Sequence, residues 1–204
     1  MVLLTFCISL SGDIPEPYKS IKNLPFDDHG WFVNSKQLQT LIEDYQPEIV
    51  IEVGSWLGAS TRFIASHLQS SGLLYAVDTW AGSPNEPAYY IKDSRLPYLY
   101  QLFLSNVKHA GLTNKIIPVR MDSIEAANAL DVQADLIYID AAHDTTSVFN
   151  DILAWTPHLK QDGIMCGDDW SWKSVQIAVI QAAEILNCEV VSSGNFWMFK
   201  PITP

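Results

Sequence analysis

Three acids and one imidazole stand out by type and position. Asp140 and His143 occur in Asp135-Leu-Ile-Tyr-Ile-Asp-Ala-Ala-His143, directly after a short apolar run. Asp168 and Asp169 follow a second such run in Gly163-Ile-Met-Cys-Gly-Asp-Asp-Trp170. If the two runs are neighbouring parallel strands, their tips lie within side-chain reach. Three carboxylates gathered there repel one another unless a cation joins them. Mg²⁺ or Ca²⁺ suits the set, since both take oxygen ligands and Mg²⁺ keeps waters that a substrate can displace. A hydroxyl bound to such an ion loses its proton more readily. His143 has the chemistry to accept that proton. Taken singly, each residue has a plainer reading. Either acid of the pair can cap a following helix, His143 can be a solvated loop residue, and Asp140 can bind an ammonium group or a backbone amide.

A second group lies upstream, in Glu52-Val-Gly-Ser-Trp-Leu-Gly-Ala-Ser-Thr61. Gly54 permits a tight turn, and Gly58 lets a ligand approach the backbone at a helix start, where Ser60 and Thr61 can cap or donate. The spacing is not the G-x-G-x-x-G of dinucleotide binding, and no Gly-Lys-Ser/Thr of a P-loop is present. Asp78 ends the next apolar run, and a carboxylate there can accept both hydroxyls of a ribose. The bland alternatives are an ordinary glycine-bearing turn and a turn-stabilising Asp.

The elements that must position these residues alternate along the chain. A helix over 35–45 carries Leu38, Leu41 and Ile42 on one face and is closed by Pro47. Strands are expected at 49–53, 74–77, 116–119, 136–139 and 163–166. Helices are expected at 59–68, before 110, at 123–130, from 147, and at 175–186. The segments 188–192 and 196–200 flank a Ser-Gly-Asn turn and read as a hairpin. The pattern predicts an α/β fold: a seven-stranded, mostly parallel sheet with a C-terminal antiparallel hairpin and helices on both faces. In such sheets ligands bind beyond the carboxyl ends of the strands, and every residue singled out above falls at such an end. Residues 1–34 read as an N-terminal arm or cap, and 35–204 as a single domain.

These motifs, in this order, resemble class I S-adenosylmethionine-dependent methyltransferases. The resemblance rests on the glycine segment, on Tyr75-Ala-Val-Asp-Thr-Trp80 and on Arg120-Met-Asp-Ser123. It implies a Rossmann-like fold and a cofactor site drawn from Glu52, Gly54, Ser55, Gly58, Ser60, Thr61, Asp78, Thr79, Trp80, Asp122, Ser123 and Asp140. The glycine loop would hold the methionine part, Asp78 the ribose, and Asp122 with Ser123 the adenine. The Asp140–His143 and Asp168–Asp169 pattern is similar to metal-dependent O-methyltransferases, of the kind acting on macrolide sugars or catechols. That narrower resemblance implies Asp140, Asp168 and Asp169 as Mg²⁺ ligands and His143 as base, with Asp140 catalytic alongside it. The chain is short for the macrolide group.

Composition narrows the partners. A formal net charge of -11 across 204 residues repels phosphate backbones and anionic membranes, so nucleic acid and membrane are not expected. The apolar first ten residues lack a basic n-region and a cleavage site, and are too short to span a bilayer; they read as a strand or a dimer contact. Cys7, Cys166 and Cys188 show no metal or redox spacing, which suits a reducing cytoplasm. Trp80, Tyr89, Tyr90, Tyr98 and Tyr100, with Trp170 and Trp172, read either as an aromatic lid over a ring-shaped acceptor or as a hydrophobic cluster under a long loop. The expectation is a methyltransferase for a small hydroxylated molecule. A nicotinamide-dependent oxidoreductase and a non-catalytic cofactor-binding module are the rivals.

Overall fold

The apolar runs become strands because they are long enough to cross a sheet and offer a buried residue to each side. In β1 (Ile49–Val53), Val50 packs into one layer and Ile51 into the other. The computed structural model describes residues 13–27, 31–82 and 92–201. The first ten residues, Cys7, Tyr89 and Tyr90 lie outside them.

From Ser35 the order is α1 (Ser35–Tyr45), β1, α2 (Ala59–His67), β2 (Leu73–Asp78), α3 (Leu99–His109), β3 (Ile116–Arg120) and α4 (Ser123–Ala129). Then follow β4 (Ala134–Ile139), α5 (Thr145–Trp155), β5 (Leu159–Gly167), α6 (Lys173–Leu186), β6 (Cys188–Ser193) and β7 (Phe196–Pro201). The sheet runs β3-β2-β1-β4-β5-β7-β6. β1 to β5 pair in parallel, and β7 lies antiparallel between β5 and β6. The expected seven-stranded architecture is present. Leu38, Ile64 and Phe103 of α1–α3 cover one face together with Val50, Leu74 and Leu136. Ala126, Ile152 and Val179 of α4–α6 cover the other, against Ile51, Val77 and Ile137.

Several boundaries move by a few residues from their expected places, two of them for visible reasons. α5 starts at Thr145 because Asp144 caps it, accepting the Ser147 N–H at 3.0 Å. β5 starts at Leu159, four residues earlier than its apolar run suggests. Its first half is largely exposed and lies opposite a register shift between Ala134 and Leu136, so polar residues are tolerated there.

The described part of the N-terminal segment packs on the domain. Tyr18 is buried and donates its hydroxyl to the Ile116 carbonyl at 2.9 Å, and Lys108 Nζ reaches the Tyr18 carbonyl at 2.9 Å. The Leu24 and Asp27 N–H groups donate to Ser105 and Asn106 of α3. Among the described residues no helix is long and apolar enough to cross a membrane.

Asp135 clasps three strands at the end of the sheet remote from the cleft. Oδ2 accepts the N–H groups of Glu48 and Ile49 at 3.0 and 2.8 Å, and Oδ1 accepts Lys160 Nζ at 2.7 Å. Burial alone would raise its carboxyl, but the Lys160 and backbone hydrogen bonds outweigh it and hold the group below the usual range. A depressed folded value means that the clasp stabilises fully above the ordinary carboxylate pKa and is lost as pH falls through the folded one. Asp135→Asn is therefore expected to lower stability by about 1 kcal/mol at neutral pH. In urea melts, the difference from wild type should shrink below about pH 4.

Candidate active site

The carboxyl ends of five strands are tied edge to edge by backbone hydrogen bonds that run one residue past the sheet. Met121 N–H donates to Asp78, Gly54 N–H to Val77, Asp140 N–H to Val53 and Asp168 N–H to Ile139, at 2.8–3.1 Å. Above them opens a cleft of about 430 Å³ whose walls include Gly54, Asp78, Asp122, Asp140, His143 and Asp169. That volume suits a nucleoside-sized ligand with a small co-substrate.

At the β1 tip, Gly54 has φ +95, and a Cβ there would lie 1.9 Å from the Asp140 carbonyl oxygen. The glycine is needed for close approach as well as for conformation. Five non-glycine residues have positive φ among those described, and three of them, Trp56, Trp80 and Asp169, sit at strand tips around the cleft. Such strain persists where surrounding bonds over-determine it. Asp78 supplies those bonds for two of the three: Oδ2 accepts Trp56 N–H at 2.8 Å and Oδ1 accepts Trp80 N–H at 2.7 Å. Burial pushes its carboxyl up, against the pull of the backbone N–H groups.

Beneath the loop, Glu52 is fully buried and accepts the hydroxyls of Ser55, at 2.7 Å, and Thr61. The Ser60 hydroxyl lies close by. Burial raises this carboxyl, with the hydroxyls opposing. Its Oε1 has no partner among the described residues. Gly58, at φ +79, starts α2. Ser55, Ser60 and Thr79 line the cleft. Trp80 does not present its ring there: it is buried between Tyr100 and Phe103, and its Nε1 donates to the Trp56 carbonyl. Of the aromatics read as a lid or as a cluster under the loop, Trp80 belongs to the core, while Tyr98 is exposed on the surface.

At the β4 and β5 tips, His143 Nε2 stands 2.9 Å from Asp169 Oδ2. The imidazole stacks on Trp172 at 4.7 Å and 23°, and the His143 backbone carbonyl accepts the Ser174 hydroxyl at 2.5 Å. Neither acid of the pair caps α6, whose N-cap Trp172 makes no side-chain cap. Asp168 is buried, its Oδ1 accepting the Asp169 N–H at 2.6 Å. Burial, then the charges of Asp168, Asp169 and Glu52, push the Asp140 carboxyl well above its ordinary value. Asp168 is raised by burial as well.

Sequence reasoning passed over the support beneath these acids. Buried Asn34 donates to Tyr138 Oη at 3.4 Å, and Tyr138 donates to Asp168 Oδ2 at 3.5 Å. The turn before β7 adds more: Trp170 N–H donates to the Asn195 carbonyl, and Trp197 Nε1 to the Asp168 carbonyl, both at 2.9 Å. Trp31 and Trp56, stacked at 5.9 Å, add an aromatic wall that was also missed.

At the β3 tip, Asp122 and Ser123 lie where expected, but local structure already engages them. Asp122 Oδ1 caps α4 by accepting Ile124 and Glu125 N–H. Ser123 Oγ accepts Trp155 Nε1 at 2.9 Å.

The donor chemistry of Asp140, Asp168 and Asp169 fits a hard divalent cation. Among the described residues no lysine or arginine pairs with Asp140 or Asp168, so a cation would relieve their mutual repulsion. The side chains as placed do not form a closed ligand shell. No group of three or more His, Cys, Asp or Glu among the described residues is arranged to hold a metal, and Asp169 faces His143.

A glycine loop and an acid-ended second strand, opening on a cleft with a His–carboxylate pair, define a Rossmann-like group-transfer domain. The chain belongs to the methyltransferase domain family, whose profile matches residues 51–170. A comparison with curated proteins returns no match. Solved structures share the fold. The O-methyltransferase TomG of Streptomyces achromogenes, involved in tomaymycin synthesis and solved with SAM, has a TM-score of 0.63 at 13% identity, over 83% of this chain and 80% of that one. An O-methyltransferase of Bacillus cereus in complex with SAH has a TM-score of 0.58 at 17% identity, over 86% and 83%. The SAH-bound methyltransferase PaMTH1 of Podospora anserina has a TM-score of 0.63 at 12% identity, over 83% and 78%.

Because Gly54 touches the Asp140 carbonyl, Gly54→Ala forces β1 and β4 apart at the cleft. It is expected to cost about 3 kcal/mol or more through overpacking and strain. Thermal denaturation followed by circular dichroism should show a lowered Tm; an unchanged Tm would refute the close approach.

Proposed function

We propose that this chain is an S-adenosylmethionine-dependent O-methyltransferase acting on a hydroxyl of a small molecule, a sugar or a phenol. The observation that carries the reading is the His143–Asp169 contact at 2.9 Å, on the wall of the same cleft that the Gly54–Gly58 loop enters. The glycine loop and Asp140 would hold the methionine part of the cofactor, and the Asp78 region the ribose. His143 takes the proton of the acceptor hydroxyl as its oxygen attacks the sulfonium methyl in line. The C–S bond breaks, giving a methyl ether and S-adenosylhomocysteine. Positioning of the two reactants supplies much of the acceleration. Where no cation takes it, Asp169 would orient the imidazole and stabilise its protonated form, as a carboxylate beside a catalytic His does.

Asp140, Asp168 and Asp169 would together hold a divalent cation such as Mg²⁺, which supplies Lewis-acid activation of the acceptor hydroxyl when bound. The His143–Asp169 pairing favours a second reading, in which Asp169 serves the base instead of the cation. The two readings part on excess chelator, which abolishes turnover in the first and spares it in the second.

His143→Ala is expected to lower kcat at least about hundredfold, while calorimetric affinity for S-adenosylhomocysteine stays within about twofold of wild type. Full activity in this variant would refute the role of His143. Binding of a nicotinamide cofactor in place of S-adenosylhomocysteine would favour the oxidoreductase rival. Cofactor binding without transfer to any acceptor would favour the non-catalytic one.

A further inference from the structure

The β3 end of the cleft, where the cofactor reading puts adenine, holds a carboxylate that the motifs do not include. Asp151 lies on α5 in the buried stripe Val148, Asp151, Ile152, Trp155. It is only 5% exposed, yet it lines the cleft. An acid in an apolar helical stripe is costly unless something satisfies it.

Trp155 Nε1 donates to Ser123 Oγ at 2.9 Å, and the neighbouring Ser123 hydroxyl lowers the Asp151 carboxyl. Asp122 is exposed, and its Oδ1 is committed to the cap of α4. Exposed carboxylates discriminate weakly because solvent competes for the same bonds. A buried one discriminates strongly.

We infer that Asp151, rather than Asp122, reads the base of the bound nucleoside, accepting a hydrogen bond from the exocyclic amine of a 6-aminopurine and rejecting a 6-oxopurine. An ionised carboxylate is an acceptor only, so a 6-oxo group would set one acceptor against another in a buried site. Burial pushes the Asp151 carboxyl up to about 6, with Ser123 lowering it and the charges of Asp122 and Asp144 raising it. It is thus mostly ionised above neutral pH. This inference rests on the cofactor reading given under the proposed function.

The test is calorimetric titration at pH 7.5 of wild type, Asp151→Asn and Asp122→Asn with S-adenosylhomocysteine and with S-inosylhomocysteine, its 6-oxo counterpart. Wild type is expected to prefer the adenosyl compound by about tenfold or more. In Asp151→Asn the ratio should fall to about one or invert, because an amide can turn its N–H₂ toward a 6-oxo group. Asp122→Asn should affect both ligands alike. Equal wild-type affinities, a parallel loss for both ligands in Asp151→Asn, or a ratio that collapses in Asp122→Asn would each overturn the assignment. Should circular dichroism show that Asp151→Asn does not fold, the wild-type and Asp122→Asn titrations still decide. Failure of wild type to bind S-adenosylhomocysteine at all would overturn the cofactor reading itself.

Discussion

The site depends on the strand tips being held at backbone distance beyond the end of regular pairing. Each of the bonds from Met121, Gly54, Asp140 and Asp168 to the neighbouring strand fixes one floor residue of the cleft relative to the next. Gly54 against the Asp140 carbonyl is the tightest of these junctions, and it joins the cofactor-side loop to the acid cluster. A displacement at either element is therefore felt at the other, since packed interiors transmit strain instead of absorbing it.

Strain and charge are concentrated in the same small volume. Trp56, Trp80 and Asp169 occupy left-handed backbone, and the first two are held there by one carboxylate, Asp78. Around them Glu52, Asp140 and Asp168 carry carboxyls raised by burial. Buried acids with shifted pKa values cluster at functional sites. Here Asp140 and Asp168 share one cleft with the imidazole of His143, and Glu52 lies buried beneath its floor.

Much of this was legible in the sequence, and the limits have physical causes. Apolar runs alternating with amphipathic helices dictate the sheet, because each strand must be covered on both faces. Acids directly after such runs must lie at the tips. What the sequence hides is where a side chain turns once its backbone leaves regular geometry: the left-handed conformation at residue 80 sends the Trp80 ring into the core instead of over the cleft. The pairing of His143 with Asp169, and the Asn34–Tyr138–Asp168 chain, join residues far apart in sequence, which no local spacing encodes. Asp151 was passed over, although an acid at i+3 in the apolar stripe Val148, Ile152, Trp155 is the signal that could have found it.

The final hairpin does more than finish the sheet. Asn195 and Trp197 hold the turn that carries Asp168 and Asp169, although those acids lie 26 and 29 residues earlier. In a chain made from its N-terminus, β1 to β5 are synthesised before this hairpin. The acid turn then gains its last supports only as residues 195–197 dock. The sheet can thus take shape before the acid turn is fully held in place.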